Sequence, residues 1–264
     1  MPRRRLDAEL VRRGLVADRS EAQAVVEAGR VTVAGTPATK SATMVASDAP
    51  VHVSAPDRRY VSRGGEKLRA ALDRFSVVVS GRDCLDAGAA TGGFADCLLQ
   101  AGAARVITVD VGYGQLAWEL RNDTRVTVLE RTNVRELGRD ELPFVPEVVV
   151  ADLSFVSLRT ALPALAVLAA DDADLVVLVK PQFEAAREEV AEGGVVRDPL
   201  VWRAVLDGVA TVAGRGGLGV LGAMASPLVG PAGNVEFLMH LALGLSALPL
   251  DLDAVVAEGR AVAS

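Results

Sequence analysis

Cysteine is nearly absent from this 264-residue chain: Cys84 and Cys97 are the two thiols, too few for a disulfide framework. Both fall in apolar surroundings and read as inert buried groups. The two histidines, His52 and His240, are neither spaced nor accompanied as metal ligands, so no metal site is expected. Aromatic residues make up 4% of the sequence, which disfavours a single-strand binder built on stacked bases. Trp118 and Trp202, in helical segments, read as packing residues. The longest apolar stretches, LPALAVLAA and LALGLSALPL, fall short of the roughly 18 residues that span a bilayer. The N-terminus opens on RRRLDAEL where a signal peptide would carry an apolar core. A soluble, cytoplasmic chain without stable membrane insertion follows as the expectation, with the monomer as the expected state.

Charge is plentiful but unevenly placed. Twenty-eight Lys and Arg against 34 Asp and Glu give −6, yet residues 1–75 hold 14 basic and 9 acidic residues (+5), leaving −11 for residues 76–264. In that basic head, LDAELVRRG and SEAQAVVEAG read as helices, the second with Ser20 as N-cap, Gln23 at the third helical position and Gly29 at the stop. VTVAG and Val51–Val53 read as short strands. A boundary near residue 60 gives a small α+β domain over 1–60, a larger domain over 61–250 and an Ala-rich tail over 251–264.

From residue 61 onward strands and helices alternate, and several strands are continuous apolar runs, as expected when helices cover both faces of a parallel sheet. The last two strands, LGVLGAMAS and NVEFLMHLAL, have almost no helix between them and predict an antiparallel ending. The expected fold is therefore α/β and Rossmann-like. The polar stretch 185–199 reads equally as a lid or as a solvated excursion.

Between the first strand and first helix of this domain lies DAGAATGGFAD. Gly88, Gly92 and Gly93 let backbone approach a ligand there, while Ala89, Ala90 and Thr91 replace the spacing of a dinucleotide-binding GxGxxG. S-adenosylmethionine fits this loop better than a nicotinamide, with Asp86 and Phe94 flanking the glycines. Asp110, ending the next strand, is placed for ribose hydroxyls, and Asn133 or Val134 for the adenine. Asp96 reads as a first-turn residue offsetting the helix dipole.

Asp152 after EVVVA, Lys180 after ADLVVLV and Glu236 in NVEFLMH are charges set against apolar strands, costly to bury unpaired. Asp152 and Lys180 end adjacent strands on the carboxyl edge, where open sheets bind ligands. Lys67, in SRGGEKL, could reach that cleft from a helix. At this point SRGGEKL, DAGAATGGFAD, VDVGYGQL, ADLSF, VKPQFE and SPLVGPAGNVEF together resemble the TlyA family, the ribosomal RNA 2'-O-ribose methyltransferases once called haemolysins, whose catalytic domain is FtsJ- or RrmJ-like. Residues 6–55 resemble the ribosomal-protein S-four-type RNA-binding domain of that family. The resemblance implies a class I methyltransferase fold with a mostly parallel seven-stranded sheet and a catalytic Lys67–Asp152–Lys180–Glu236 set. Two hydroxyl residues of the family's glycine loop are replaced here by Ala90 and Ala95, so their hydrogen bonds must be absent or supplied by backbone and Thr91.

The implied reaction is attack of a cytidine ribose 2'-oxygen on the cofactor's methyl group. Holding both reactants in line recovers entropy, and a base must take the hydroxyl proton. Lys180 is the choice for that base. Desolvation and a nearby Lys67 favour its neutral form while Asp152 and Glu236 oppose this, so a charged Lys180 that stabilises the developing alkoxide stays open. The expected partner is ribosomal RNA or the ribosomal subunits, large and also small, and not DNA. Arg3, Arg4, Arg5, Arg12, Arg13, Arg19, Arg30, Lys40, Arg58 and Arg59 are the candidate phosphate-binding residues. Two other readings are weighed against this one. A nucleotide-binding oxidoreductase is disfavoured by the glycine pattern and by two lysines facing carboxylates with no obvious hydride site, and a non-enzymatic RNA-binding or membrane-active haemolysin-like protein predicts that Lys180→Ala leaves activity intact.

Overall fold

The computed structural model describes residues 3–54 and 59–263, and the chain divides into two compact units, Met1–Arg58 and Arg59–Ser264. The first unit runs β1 (Arg3–Arg5), α1 (Leu6–Arg12), α2 (Arg19–Glu27), β2 (Val31–Val33), β3 (Thr36–Pro37), β4 (Met44–Ala46) and β5 (Val51–Val53). β2 pairs antiparallel with β3 and β5, and β1 with β4. Leu6, Leu10, Ala22, Val25, Val26, Val31 and Val45 form its small core. Asp18, not Ser20, is the N-cap of α2: its side chain accepts from the Glu21 N–H at 2.9 Å. Glu21 in turn accepts from the Ala17 N–H at 2.7 Å. Aspartate one residue before the helix satisfies an N–H that has no partner within it, whereas Ser20 already lies inside the first turn. Gly29, at φ +69°, follows the helix end as expected.

The second unit opens with α3 (Gly64–Phe75), followed by β6 (Asp83–Ala87), α4 (Gly93–Gln100), β7 (Arg105–Val109), α5 (Trp118–Arg121), β8 (Val126–Leu129), β9 (Val148–Ala151), α6 (Leu158–Leu168) and β10 (Asp174–Val179). It closes with α7 (Pro181–Glu184), α8 (Pro199–Arg215), β11 (Leu218–Ala225), β12 (Phe237–Leu243) and α9 (Leu252–Ala263). The seven strands lie in the order β11-β12-β10-β9-β6-β7-β8. β10, β9, β6, β7 and β8 pair in parallel, and β12 runs antiparallel to both of its neighbours.

Alternate residues of the central strands feed opposite cores. Leu85, Ile107, Val149, Leu175 and Val177 meet α6, α8 and α9 on one side. Cys84, Val106, Val148, Val150 and Val176 meet α3 and α4 on the other. A strand whose two faces are both covered must be apolar at every position, which is why these runs show no alternation.

Two expectations change. The segment read as an Ala-rich tail is the helix α9, because Leu252, Val255, Val256 and Gly259 recur on one buried face. Trp202 packs as expected, its indole N–H donating to the Val196 carbonyl at 2.9 Å. Trp118 does not: α5 is a single turn that buries Leu120 and leaves the Trp118 indole 74% exposed. Residues 185–199 form an excursion with one 3-10 turn at Arg187–Glu189 and a bridge between Ala191 and Val195.

Candidate active site

The carboxyl ends of four parallel strands surround a cavity of about 430 Å³, within the size range of small-molecule cofactor sites. Gly88 and Ala90 line it from the turn after β6, Asp110, Gly112 and Gln115 from the turn after β7, Thr132–Arg135 after β8, and Asp152–Val156 after β9. Gly88 is at φ +82°, and a Cβ placed on it would come 2.6 Å from the Asp152 carbonyl oxygen. Only glycine allows that strand end to pass so close to its neighbour. Asp110 organises the rim: one carboxylate oxygen accepts from the Ala90 N–H at 2.8 Å and the other from the Gly112 N–H at 2.6 Å.

Of the residues nominated for the cofactor, the fold brings Gly88, Ala90, Asp110, Asn133 and Val134 into the cavity wall. Asn133 holds the turn after β8 in shape, donating to Glu136 at 2.6 Å and accepting from the Arg135 N–H at 3.2 Å. Ala89 borders an adjoining hollow with Asp110, Gln115 and Leu116. The rest lie outside these walls. Asp86 is fully buried within β6, accepting from the Ala95 N–H at 2.9 Å while its other oxygen has no protein partner. Burial, then the charge of Asp152, pushes its carboxyl up to about 8. Thr91 accepts from the Ala117 N–H through its carbonyl. Gly92 starts α4 at φ +94°, packed under Leu120 and Leu116, Gly93 faces Ser62, and Phe94 is in the core beside Gly64. These residues shape the turn from behind. The backbone N–H groups of Ala90 and Ala95 donate to Asp110 and Asp86.

The four charged candidates form two pairs on one sheet edge. Lys180 Nζ is 2.6 Å from Asp152 Oδ1, an ion pair by distance, although its angles give that oxygen no hydrogen bond. The same ammonium donates to the Ser154 hydroxyl at 2.9 Å. Lys67, from the first turn of α3, forms a short buried ion pair with Glu236. Register explains the convergence. β10 and β12 are paired up to Val179–Phe237, so the next step sets Lys180 opposite Glu236, which stands one residue before β12. β9 and β10 are paired up to Ala151–Val177, which brings the ADLSF turn alongside Lys180. Neither Cys84 nor Cys97 takes part; burial pushes both thiols up to about 12. Among the described residues no cluster of His, Cys, Asp or Glu could hold a metal ion.

Ser154, Phe155 and Gln115 are wall residues that the sequence reading did not nominate. Ser154 was recoverable, as a hydroxyl two residues beyond a strand-end acid. Phe155 was not: it is 92% exposed at φ +63°, its ring 5.3 Å from that of Phe183, and no pattern announces such a backbone.

In the first unit the basic candidates separate by occupation. Arg5 pairs with Asp7 at 2.7 Å, and Arg12 and Arg13 with the fully buried Glu9 at 2.5 and 2.8 Å, which hold the Glu9 carboxyl down to about 2. Arg13 also donates to the Ala49 and Ser47 carbonyls, and Arg30 to that of Ser54. Arg3, Arg4, Arg19 and Lys40 are exposed and form no ion pair among the described residues. In the second unit Arg59 lies over the Tyr60 ring, 5.2 Å from its centroid. Arg58 is outside the described residues.

Residues 60–243 match the model of the FtsJ-like methyltransferases and residues 4–51 that of the S4 domain. The chain is 52% identical over 240 residues, 90% of each protein, to the 16S/23S rRNA (cytidine-2'-O)-methyltransferase TlyA of Mycobacterium tuberculosis. The chain belongs to the TlyA family. A further relative is the 23S rRNA (cytidine-2'-O)-methyltransferase TlyA of Campylobacter jejuni, 32% identical over 183 residues, 69% of this chain and 70% of that protein. The TlyA-like architecture extends over both units in a solved structure from Streptococcus thermophilus described as a hemolysin. It shares 38% identity at a TM-score of 0.76, covering 99% of this chain and 97% of that one. As a TlyA-family member the protein is an FtsJ-like methyltransferase with an S4 domain in front of it.

Proposed function

We propose that this protein methylates the ribose 2'-oxygen of a cytidine in ribosomal RNA, on the large subunit and also on the small, using S-adenosylmethionine. One observation carries the reading: Lys180, itself outside the cavity lining, is held by Asp152 and Ser154, which line it, across the strand register from a buried Lys67–Glu236 pair. Two buried or half-buried ion pairs at a sheet edge are a poor way to stabilise a fold, since the desolvation cost rivals the attraction. They are a good way to present a nitrogen to a hydroxyl. The cytidine and the two ribosomal RNAs are named in the Mycobacterium tuberculosis relative; the Campylobacter relative is named for 23S alone.

The residues present suit the cofactor. Gly88 and Ala90 leave backbone open to the cavity, and Asn133 and Val134, which line it, would flank the adenine. Each Asp110 oxygen accepts one backbone N–H and keeps a lone pair for a ribose hydroxyl. When bound, S-adenosylmethionine supplies an electrophilic methyl group on a sulfonium. Lys180 Nζ meets the 2'-oxygen: it takes the hydroxyl proton as the new bond forms, or, if it enters charged, donates to the growing negative charge while the hydroxyl proton passes to water. A rate that rises with pH to a plateau marks the first role, and a rate that falls again at high pH, as the ammonium is lost, marks the second. Asp152 and Ser154 fix the direction of Nζ, and Glu236 holds Lys67 within the same edge.

We place the protein in the cytoplasm, alongside its ribosomal substrate. Both thiols are free and buried, and among the described residues no helix is long and apolar enough to cross a membrane. The test is to incubate purified 30S and 50S subunits with the protein and labelled S-adenosylmethionine and to map the 2'-O-methylated positions. Wild type should mark a cytidine ribose on each subunit, and Lys180→Ala should mark none while still binding the cofactor. Normal methylation by Lys180→Ala would overturn the assignment.

A further inference from the structure

Glu184 is buried, charged and four residues beyond Lys180, yet it lines no wall of the cavity. Its carboxylate faces away from the edge, onto the start of α6. One oxygen accepts from the Leu158 N–H at 2.5 Å; the other accepts from the Ser157 hydroxyl at 2.6 Å and from Arg159 Nε at 3.1 Å. Arg159 also donates to the Glu184 carbonyl. Leu158 is the first residue of α6 and Ser157 its N-cap, so the carboxylate satisfies an N–H at the positive end of that helix. A helix start can be capped locally, and Ser157 already does so by accepting from the Arg159 N–H at 3.1 Å. The Leu158 N–H is a different donor, and the residue that satisfies it comes from a different strand end, so this cap has a connecting purpose as well.

Its position shows the purpose. Residues 152–157 connect β9 to α6, and residues 180–184 follow β10, so the two segments leave adjacent strands side by side. Contacts cross between them at successive levels: Lys180 to Asp152 and Ser154, the Phe183 ring to the Phe155 ring, and Glu184 to Ser157, Leu158 and Arg159. The Lys180 end is partly open, with 11% of the lysine side chain and 25% of the aspartate side chain exposed. The Glu184 end is closed, with 2% of its side chain exposed. A ladder with one fixed and one open end transmits position from the fixed end.

We propose that Glu184 is the positioning residue of this site, locking the turn after β10 onto the turn after β9 so that Lys180 meets Asp152 and Ser154 in one arrangement. The inference rests on the reading that Lys180 serves methyl transfer. Glu184 itself touches neither reactant. Removing its charge frees the two turns to slide, and a displacement of about 1 Å at a reacting group costs on the order of a hundredfold in rate.

The experiment compares wild type with Glu184→Gln, Ser154→Ala and the double variant in the full chain. Glu184→Gln should lower kcat for ribosomal subunits ten- to a hundredfold, leave the dissociation constant for S-adenosylmethionine within threefold, and leave KM for RNA little changed. Ser154 acts at the other end of the same ladder, so the double variant should be no slower than the slower single one, because coupled residues are not additive. Multiplying losses, or an unchanged kcat in folded Glu184→Gln, overturns the proposal. An activity-independent readout separates it from the functional reading. Acetylation of Lys180 by acetic anhydride, followed by peptide mass spectrometry, should quicken at least threefold in Glu184→Gln as Nζ leaves its partners. If wild type methylates no ribosomal RNA but the acetylation rate still rises, the reaction is misassigned and the positioning role stands. An unchanged acetylation rate overturns the role. If Glu184→Gln does not fold, Ser157→Ala, which removes one hydroxyl bond to the same carboxylate, is read by the same criteria.

Discussion

At the scale of single residues, the site depends on positions that tolerate no substitute. Gly88→Ala would place a methyl group 2.6 Å from the Asp152 carbonyl oxygen at a backbone angle of φ +82°. Positive φ alone costs about 1–3 kcal/mol at a non-glycine residue, and relief of the clash would push Asp152 away from Lys180. Urea unfolding should show a loss of at least that size, accompanied by weaker S-adenosylmethionine binding in calorimetry. Asp86 gives a pH signature. Its folded carboxyl titrates near 8 and its unfolded one near 4, so between those values the folded state holds a proton that the unfolded state has lost. Stability contributed by this residue is therefore full below about pH 4 and falls as pH rises towards 8. Asp86→Asn should flatten that fall in urea midpoints measured from pH 5 to 9, and an unchanged slope would refute the assignment. Lys180, Asp152 and Asp110 were legible in the sequence because a charge ending an apolar strand is conspicuous. Asp86 looked the same, but it sits inside its strand, facing the helix start instead of the cavity. Glu184 escaped notice because its partners lie 25 to 27 residues earlier in the chain.

Among the elements, the strands were the easiest to read. Covering both sheet faces demands unbroken apolar runs, and the short link between the last two dictated the antiparallel β12. Helix ends were harder, since a cap is chosen by geometry that several polar residues can satisfy: Asp18 took the place expected of Ser20. α9 was missed because its alanines mask a buried stripe of Leu252, Val255 and Val256, which closes the face formed by β11 and Phe237. Each such side chain contributes about 1.5–3 kcal/mol when fully buried. Truncation after Leu250 should therefore destabilise the second unit by several kcal/mol, seen as a lower urea midpoint, and Val255→Asp should reproduce most of it. A truncated chain with an unchanged midpoint would show that α9 adds nothing to the core. The short α5 carries the opposite lesson: a helical pattern identifies a turn of helix but not which face is covered, and the Trp118 ring is left in solvent.

For the whole molecule, the structural division refines the charge balance. The excess of +5 over residues 1–75 suggested a strongly basic head, but Met1–Arg58 holds nine basic and seven acidic residues, a net +2, so the remaining +3 belongs to the start of the second unit. Four of the eight described basic side chains of the first unit are also engaged, to Asp7, Glu9 or backbone carbonyls. RNA affinity must then come from a few exposed cations and not from overall charge. Arg3, Arg4, Arg19 and Lys40 are the four that combine exposure with no ion pair among the described residues. If each neutralises one phosphate, they contribute roughly −3 to the slope of log affinity against log salt. Replacing all four with alanine in the full chain should reduce the slope by that amount and abolish ribosomal RNA methylation at physiological salt. S-adenosylmethionine binding should stay at its wild-type value, because the cavity is built entirely from the second unit. Filter binding at several salt concentrations, run beside calorimetry with the cofactor, measures both halves. An unchanged slope would move RNA recognition to Arg59 and the basic residues that follow it, where the refined charge balance puts the larger excess.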